Sequence, residues 1–324
     1  MQLGRNLIPL FTFDSNYMGR HVMEKLLITG GNGFIGRYLC RECEKRQMDY
    51  LTISDRMPVD SRCGRKVDLL DYAGLREALA QYQPDAIVNL AAIADPIHGD
   101  PLEFYRVNVG GTENLLRAAG EVLAPGCRVV LISTAGVYGN QQAECLNEDS
   151  PFNPINHYSY SKMVTELLSR QYSDLLDIHI VRPFNIIGYG QKENFFVPKL
   201  VKHFANRTQE IQLGNLGAVR DYVSVEFCSK VLLDIASADG DLPGTVNVCT
   251  GVGYSCQQVI DILQDLTRFC PKVVSTAQFT RSNEVWRLVG DTGRLERVVK
   301  SKYTTLNLPS ILQSMLKAYQ NMCL

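Results

Sequence analysis

No excess of either charge marks this chain: Lys plus Arg number 33 against 34 Asp plus Glu. A partner such as nucleic acid or an anionic membrane surface usually leaves a bulk basic excess, so neither is expected. No apolar run approaches the ~20 residues of a membrane span. The five histidines (21, 98, 157, 179 and 203) do not cluster, and of ten scattered cysteines only Cys40 and Cys43 form a C-x-x-C, with no second pair at zinc-site spacing. That pair sits in a helical pattern, RYLCRECEKR, and reads as helix cysteines of a reducing cytoplasm. No metal is expected, and the expected location is cytoplasmic. Internal repeats and low-complexity tracts are also lacking. What remains is an ordinary globular composition, 45% hydrophobic and 21% charged.

The length of 324 residues allows two domains, or one domain with a substantial lobe. The periodic signal starts only after Met23. Residues 1–22 carry an apolar patch, LIPLFTF, too short and too poorly flanked for a secretory signal, while Pro9 and Asp14 count against a transit peptide. They read as an N-terminal extension, an upstream start or a flexible arm.

From residue 24, short β-rich runs alternate with helical patterns. Strands are expected at 25–29, 50–54, 85–91, 128–134 and 179–184, with a return strand at 245–250. Continuously apolar strands separated by helices predict an α/β fold, a Rossmann-type doubly wound parallel sheet with a smaller C-terminal α/β lobe. The expected division is 23–184 plus 225–250 for the dinucleotide-binding domain and 185–224 plus 251–324 for the lobe. Within the lobe, NLGAVRDY reads as a polar loop.

The first strand runs into TGGNGFIG and then a helix. Gly30, Gly33 and Gly36 supply a tight turn, a close backbone approach to a pyrophosphate and close helix–strand packing, with Phe34 and Ile35 opening the helix. Asp55 lies nineteen positions beyond Gly36 at the end of the second strand. A carboxylate there accepts from an adenosine ribose diol and repels a 2′-phosphate, so NAD is expected. Arg56 follows immediately and keeps NADP open.

A second cluster, HYSYSK, spans 157–162. Tyr158 precedes Lys162 by four residues, so on a helix they share one face while Tyr160 points elsewhere. An ammonium beside a phenol favours phenolate. Lowering the tyrosine from about 10 to about 7 takes roughly 4 kcal/mol of differential stabilisation.

Taken together, TGGNGFIG, VDLLD (67–71), NLAA (89–92), Asn108 in RVNVGGT, STAGVYG (133–139), YSYSK (158–162), RPFNIIG (182–188) and VRDYVSV (219–225) resemble the extended short-chain dehydrogenase/reductase family in its nucleotide-sugar branch. The resemblance implies that Thr134 hydrogen-bonds the reacting oxygen, that Tyr158 passes a proton to or from it, and that Lys162 holds the nicotinamide ribose and lowers the tyrosine pKa. Tyr160 would pack. It further implies Asp68 and Leu69 near adenine; Leu90, Ala91 and Ala92 along the cofactor; Asn108 among the cofactor residues; Pro183 near the nicotinamide; and Asn185 towards the sugar or its diphosphate. GNLGAVRDYVSV and RSNEVWRLVGDTGRL look most like GDP-4-keto-6-deoxy-mannose reductases, which brings Arg220, Arg281 and Glu284 to the nucleoside diphosphate. The expected partners are a nucleotide sugar and, as is common in this family, a second copy joined through helices near 103–120 and 158–172.

A sugar 4,6-dehydratase needs an extra acid and base near C5 and C6. In the dehydratases of the family that this chain resembles, a Glu, often with a neighbouring Asp or Ser, directly follows the catalytic threonine. Here Ala135 and Gly136 stand there, which speaks against elimination. A 4-ketoreductase and a 4-epimerase both remain, with the reductase preferred. A non-catalytic NAD(P) sensor is disfavoured because both Tyr158 and Lys162 are kept.

Overall fold

The structure, a computed structural model, describes residues 23–56, 63–95, 99–275, 285–299 and 306–322. The N-terminal extension, Arg281 and Glu284 lie outside the described residues. Seven parallel strands form the main sheet: β1 Lys25–Thr29, β2 Asp49–Ser54, β3 Gly64–Lys66, β4 Ala86–Asn89, β5 Cys127–Ile132, β6 Leu176–Pro183 and β10 Thr245–Val248. Their spatial order is β10-β6-β5-β4-β1-β2-β3, so the chain reverses direction across the sheet between β1 and β4. Ligands of open α/β sheets bind beyond the carboxyl ends of strands at such a reversal.

Side chains alternate across each strand and split the core in two. Leu26 and Ile28 face a layer built by α1 (Phe34–Lys45) and α7 (Val225–Ala236), including Leu39, Val231 and Leu232. Leu27 faces the other way, onto Leu75 and Leu79 of α2 (Tyr72–Tyr82) and Leu115 and Leu116 of α4 (Gly111–Val122). Each such buried aliphatic side chain contributes about 1.5–3 kcal/mol. α5 (His157–Ser169) lies beside α4. Asn156 starts it, accepting a hydrogen bond from Ser159 N at 2.9 Å. The segment before α4 is not one continuous α-helix. After the single turn α3 (Pro101–Glu103), residues Phe104–Gly110 widen into a π-helix that carries Asn108.

The smaller lobe holds β7 (Asn185–Ile187), β9 (Val219–Ser224), β11 (Gly253–Ser255) and β13 (Arg287–Leu288) in one sheet, and β8 (Glu210–Leu213) with β12 (Lys272–Ser275) in another. α6 (Phe196–Ala205), α8 (Cys256–Thr267) and α10 (Leu308–Met322) cover them through Leu200, Phe204, Ile260, Leu263 and Leu312. Two expectations are corrected here. NLGAVRDY is no loop throughout, because its second half enters β9. Residues 293–299 do not stay in the lobe: Leu295, Val298 and Val299 of α9 (Gly293–Val299) pack into the main-sheet core, joined there by the side chain of Leu288 from β13. That apolar stripe is buried against α7 and β10. Among the described residues no helix is long and apolar enough to cross a membrane.

The turn after β1 is fitted to glycine. Gly30 has φ +69°, and a Cβ at Gly36 would lie 2.3 Å from the Gly30 carbonyl oxygen and 2.7 Å from Gly31 Cα. Neither contact can relax without moving backbone. Gly36→Ala is therefore expected to cost about 1–3 kcal/mol in urea unfolding and to weaken dinucleotide binding; an unchanged midpoint would refute the packing argument.

Candidate active site

The loops after β1 and β4 meet at the chain reversal. Thr29 Oγ1 donates to Asn89 Oδ1 at 2.5 Å and accepts from Ala91 N at 3.0 Å, which fixes Leu90, Ala91 and Ala92 beside the glycine turn. Gly33 caps α1 without any side-chain bond, so the backbone N–H groups of the first turn face out of the helix end. A Cβ on Gly30 would strike Ala91 at 2.9 Å. This bare, positively polarised cradle fits a pyrophosphate. Phe34 turns aside: its ring meets Tyr38 edge-on at 5.9 Å and lies against Gly188, while Ile35 packs on the main core. Asp55 and Arg56 stand exposed at the end of β2, 3.9 Å apart, and Asp68 is exposed past β3 with its carboxylate accepting from Leu70 N. Leu69 is buried against Gly111.

Thr134 lies two residues past β5 and caps the following 3₁₀ turn, accepting from Gly136 N at 3.1 Å. Its side chain is also hydrogen-bonded to the Tyr158 phenol. Tyr158 and Lys162 share one face of α5, as their spacing predicts, but their ends diverge. Lys162 Nζ donates to the Ile132 carbonyl at 2.9 Å and is buried. Burial pushes Tyr158 up to about 12, opposed only by the bond to Thr134. In the cofactor-free protein desolvation dominates the phenol. Burial lowers Lys162 to about 8, and the Glu166 carboxylate one turn along the helix opposes that shift.

Asn108 is engaged within the protein. It accepts from Ile93 N at 2.8 Å and donates to Ile93 O at 3.1 Å and to Ser161 Oγ at 2.9 Å. Ser161 Oγ in turn donates to the Tyr158 carbonyl at 2.8 Å. Asn108 thereby ties the loop after β4 to the tyrosine helix. Pro183 is buried at the end of β6, level with Val248 of β10. Asn185, two residues on, lines a cleft of about 330 Å³ together with Arg220, Asp95, Gln191, Asn194 and the first turn of α6. Sequence reasoning brought Asn185 and Arg220 to one site but missed Asp95, Gln191 and Asn194. The signal for Gln191 and Asn194 was the Asn- and Gln-rich stretch NIIGYGQKENFF, legible only as irregular. Also missed was Asp221, fully buried on β9, which accepts from Thr250 N, Thr250 Oγ1, Gly251 N and Gly290 N. Burial raises its pKa, and those donors pull against it.

A model of the NAD dependent epimerase/dehydratase family matches residues 26–249. The GDP-6-deoxy-D-talose 4-dehydrogenase of Aggregatibacter actinomycetemcomitans is 35% identical over 296 residues, covering 90% of this chain and 97% of its own. The GDP-6-deoxy-D-mannose reductase of Pseudomonas aeruginosa is 28% identical, over 84% of this chain and 90% of its own. The structure of RMD from Pseudomonas aeruginosa complexed with NADPH superposes with a TM-score of 0.80 at 25% identity, covering 92% of this chain and 99% of that one.

Lys162 gives a signed pH dependence. Its folded value, about 8, lies below the ordinary 10.5, so between those values the unfolded chain holds more protons and this group adds stability as pH rises. Relative to Lys162→Met, the cofactor-free protein is expected to gain about 2 kcal/mol between pH 8 and 10. Urea midpoints of the two proteins that run parallel over that window would contradict the burial of a charged lysine.

Proposed function

The chain belongs to the NAD-dependent epimerase/dehydratase family, and from that membership we propose that it is a 4-ketoreductase of a GDP-4-keto-6-deoxyhexose, with NADH or NADPH as reductant. At the coarser level it is an NAD(P)-dependent enzyme acting on nucleotide sugars. The observation that carries the finer reading is the Thr134–Tyr158 pair, flanked by Ala135 and Gly136. A phenol held near 12 is protonated throughout the neutral range. It is set to give a proton to a carbonyl oxygen as hydride arrives. Neither neighbour carries the acid or base that elimination would need. The names of the two GDP-deoxyhexose relatives support the same substrate class.

A reduced nicotinamide, when bound, would supply the hydride. Thr134 and Tyr158 would both donate to the sugar C4 oxygen, fixing it and stabilising the charge that develops there. Lys162 would hold the nicotinamide ribose. The turn at Gly30, Gly33, Phe34, Ile35 and Gly36 and the Leu90–Ala92 loop would carry the pyrophosphate, Asp55 the adenosine ribose, and Asp68 and Leu69 the adenine edge. Arg220 would take the substrate diphosphate, with Asn185 between it and the reacting sugar. Arg281 and Glu284 are proposed for the same ligand from the likeness alone. A 4-epimerase remains the second reading, favoured by Asp55, since that reaction retains NAD.

Mixing the protein with GDP-4-keto-6-deoxy-mannose and NADH or NADPH is expected to consume the reduced cofactor stoichiometrically. Tyr158→Phe should lower kcat by about 10²–10⁴-fold with cofactor affinity unchanged. No consumption, with NAD released on heating and interconversion of UDP-hexoses, would favour the epimerase.

Tyr160 corrects an expectation and supports another. It does not pack within the chain: it is 43% exposed, as is Leu167 at 41%, seven residues along the same face of α5, and Leu102 stands out at 71%. We propose this apolar face as the dimer contact. Light scattering should give twice the chain mass, and Tyr160→Arg with Leu167→Arg should halve it. A monomeric parent would overturn the dimer.

A further inference from the structure

Among the described residues that line the cleft, Asp95 is the one carboxylate and Arg220 the one cation. A diphosphate is drawn to the Arg220 guanidinium and repelled from the Asp95 carboxylate. Asp95 therefore faces a part of the ligand that is uncharged and rich in donors, since a carboxylate only accepts hydrogen bonds.

The structure also says which end of the ligand that is. The loop carrying Asp95 is held at Ile93 by Asn108, which bonds Ser161, which bonds the backbone of Tyr158. Asp95 is thus indexed to the catalytic helix, whereas Gly214, Asn215 and Cys256 line the cleft from the lobe. From the opposite wall Asn194 Nδ2 donates to Asp95 Oδ2 at 2.5 Å. The loop leading to Asn194 is itself pinned to the dinucleotide helix α1, by Tyr38 Oη to Tyr189 O at 2.8 Å and Arg37 Nη2 to Gly190 O at 3.0 Å. Both ends of the Asp95–Asn194 bridge are anchored to elements of the reaction centre.

We propose that Asp95 is a specificity-determining residue that accepts a hydrogen bond from a hydroxyl of the substrate hexose, and that Asn194 holds its carboxylate in place across the cleft. This inference rests on the nucleotide-sugar reading above. It assigns the Asp95 end of the cleft to the sugar and the Arg220 end to the diphosphate.

The test is calorimetry on the NADH-loaded full chain with GDP and with GDP-mannose, a stable nucleotide hexose, for the parent and for Asp95→Asn. The asparagine keeps the size and the bridge but removes the charge. GDP-mannose is expected to bind about tenfold or more weaker to the variant, with GDP unchanged. Asn194→Ala should lose part of the same discrimination. Equal affinity of parent and Asp95→Asn for GDP-mannose would overturn the proposal. So would an equal loss for GDP and GDP-mannose, because Asp95 would then only shape the lobe. If the parent takes UDP-hexoses and not GDP-mannose, while Asp95→Asn still loses the hexose contribution over UDP, the proposal stands and the guanine reading falls. If no nucleoside diphosphate or nucleotide hexose binds the parent, the nucleotide-sugar reading fails and takes this assignment with it.

Discussion

One buried ion pair holds the reaction centre together. Arg182 on β6 meets Glu166 on α5 with both forks, Nε to Oε1 at 3.0 Å and Nη2 to Oε2 at 2.6 Å, and both side chains are almost fully buried. Desolvating two charges is expensive, and such a pair persists only when its other hydrogen-bonding positions are filled. Here they are. Arg182 Nη1 donates to the Tyr138 hydroxyl and the Glu148 carbonyl, both at 2.9 Å, its guanidinium lies over the rings of Tyr138 and Phe152, and Glu166 accepts from Ser133 Oγ. Ser133 is the neighbour of Thr134, and Glu166 is one turn from Lys162. The pair thus sets β5, β6 and α5 at the spacing that lets Thr134 reach Tyr158. Removing one partner of such a pair typically costs about 3–5 kcal/mol because the other stays buried and uncompensated.

The same dry surroundings govern the proton. Burial drives Tyr158 and Lys162 in opposite directions, both towards their neutral forms, and the nearest help for the ammonium is the Glu166 carboxylate. The phenol is held in its protonated form through the neutral range. The cleft beyond it carries the Arg220 cation, the Asp95 carboxylate and the side-chain amides of Asn185, Gln191 and Asn194. That arrangement suits a ligand charged in its middle and hydroxylated at its reacting end.

Much of this was legible along the chain. The strands, the glycine turn, the tyrosine–lysine spacing and the absence of a base at 135 and 136 are local patterns, and local patterns follow from period and sterics. Other features were not. Asp221 read as loop polarity because its donors come from residues 250, 251 and 290. The bonds of Asn108 to Ile93 and Ser161 were hidden too, because they join segments far apart along the chain. Tyr160 read as packing, yet the face it occupies is left uncovered by its own chain.

The doubly wound sheet, the glycine turn after β1 and the placing of Tyr158 and Lys162 on one helix face followed from the sequence, since each rests on residues within a few turns of one another. Only the tertiary structure decided how acidic the tyrosine is, where the lysine points and which side chains meet across the cleft. Those properties depend on desolvation and on partners brought together from distant segments, and neither is written into the spacing of neighbouring residues.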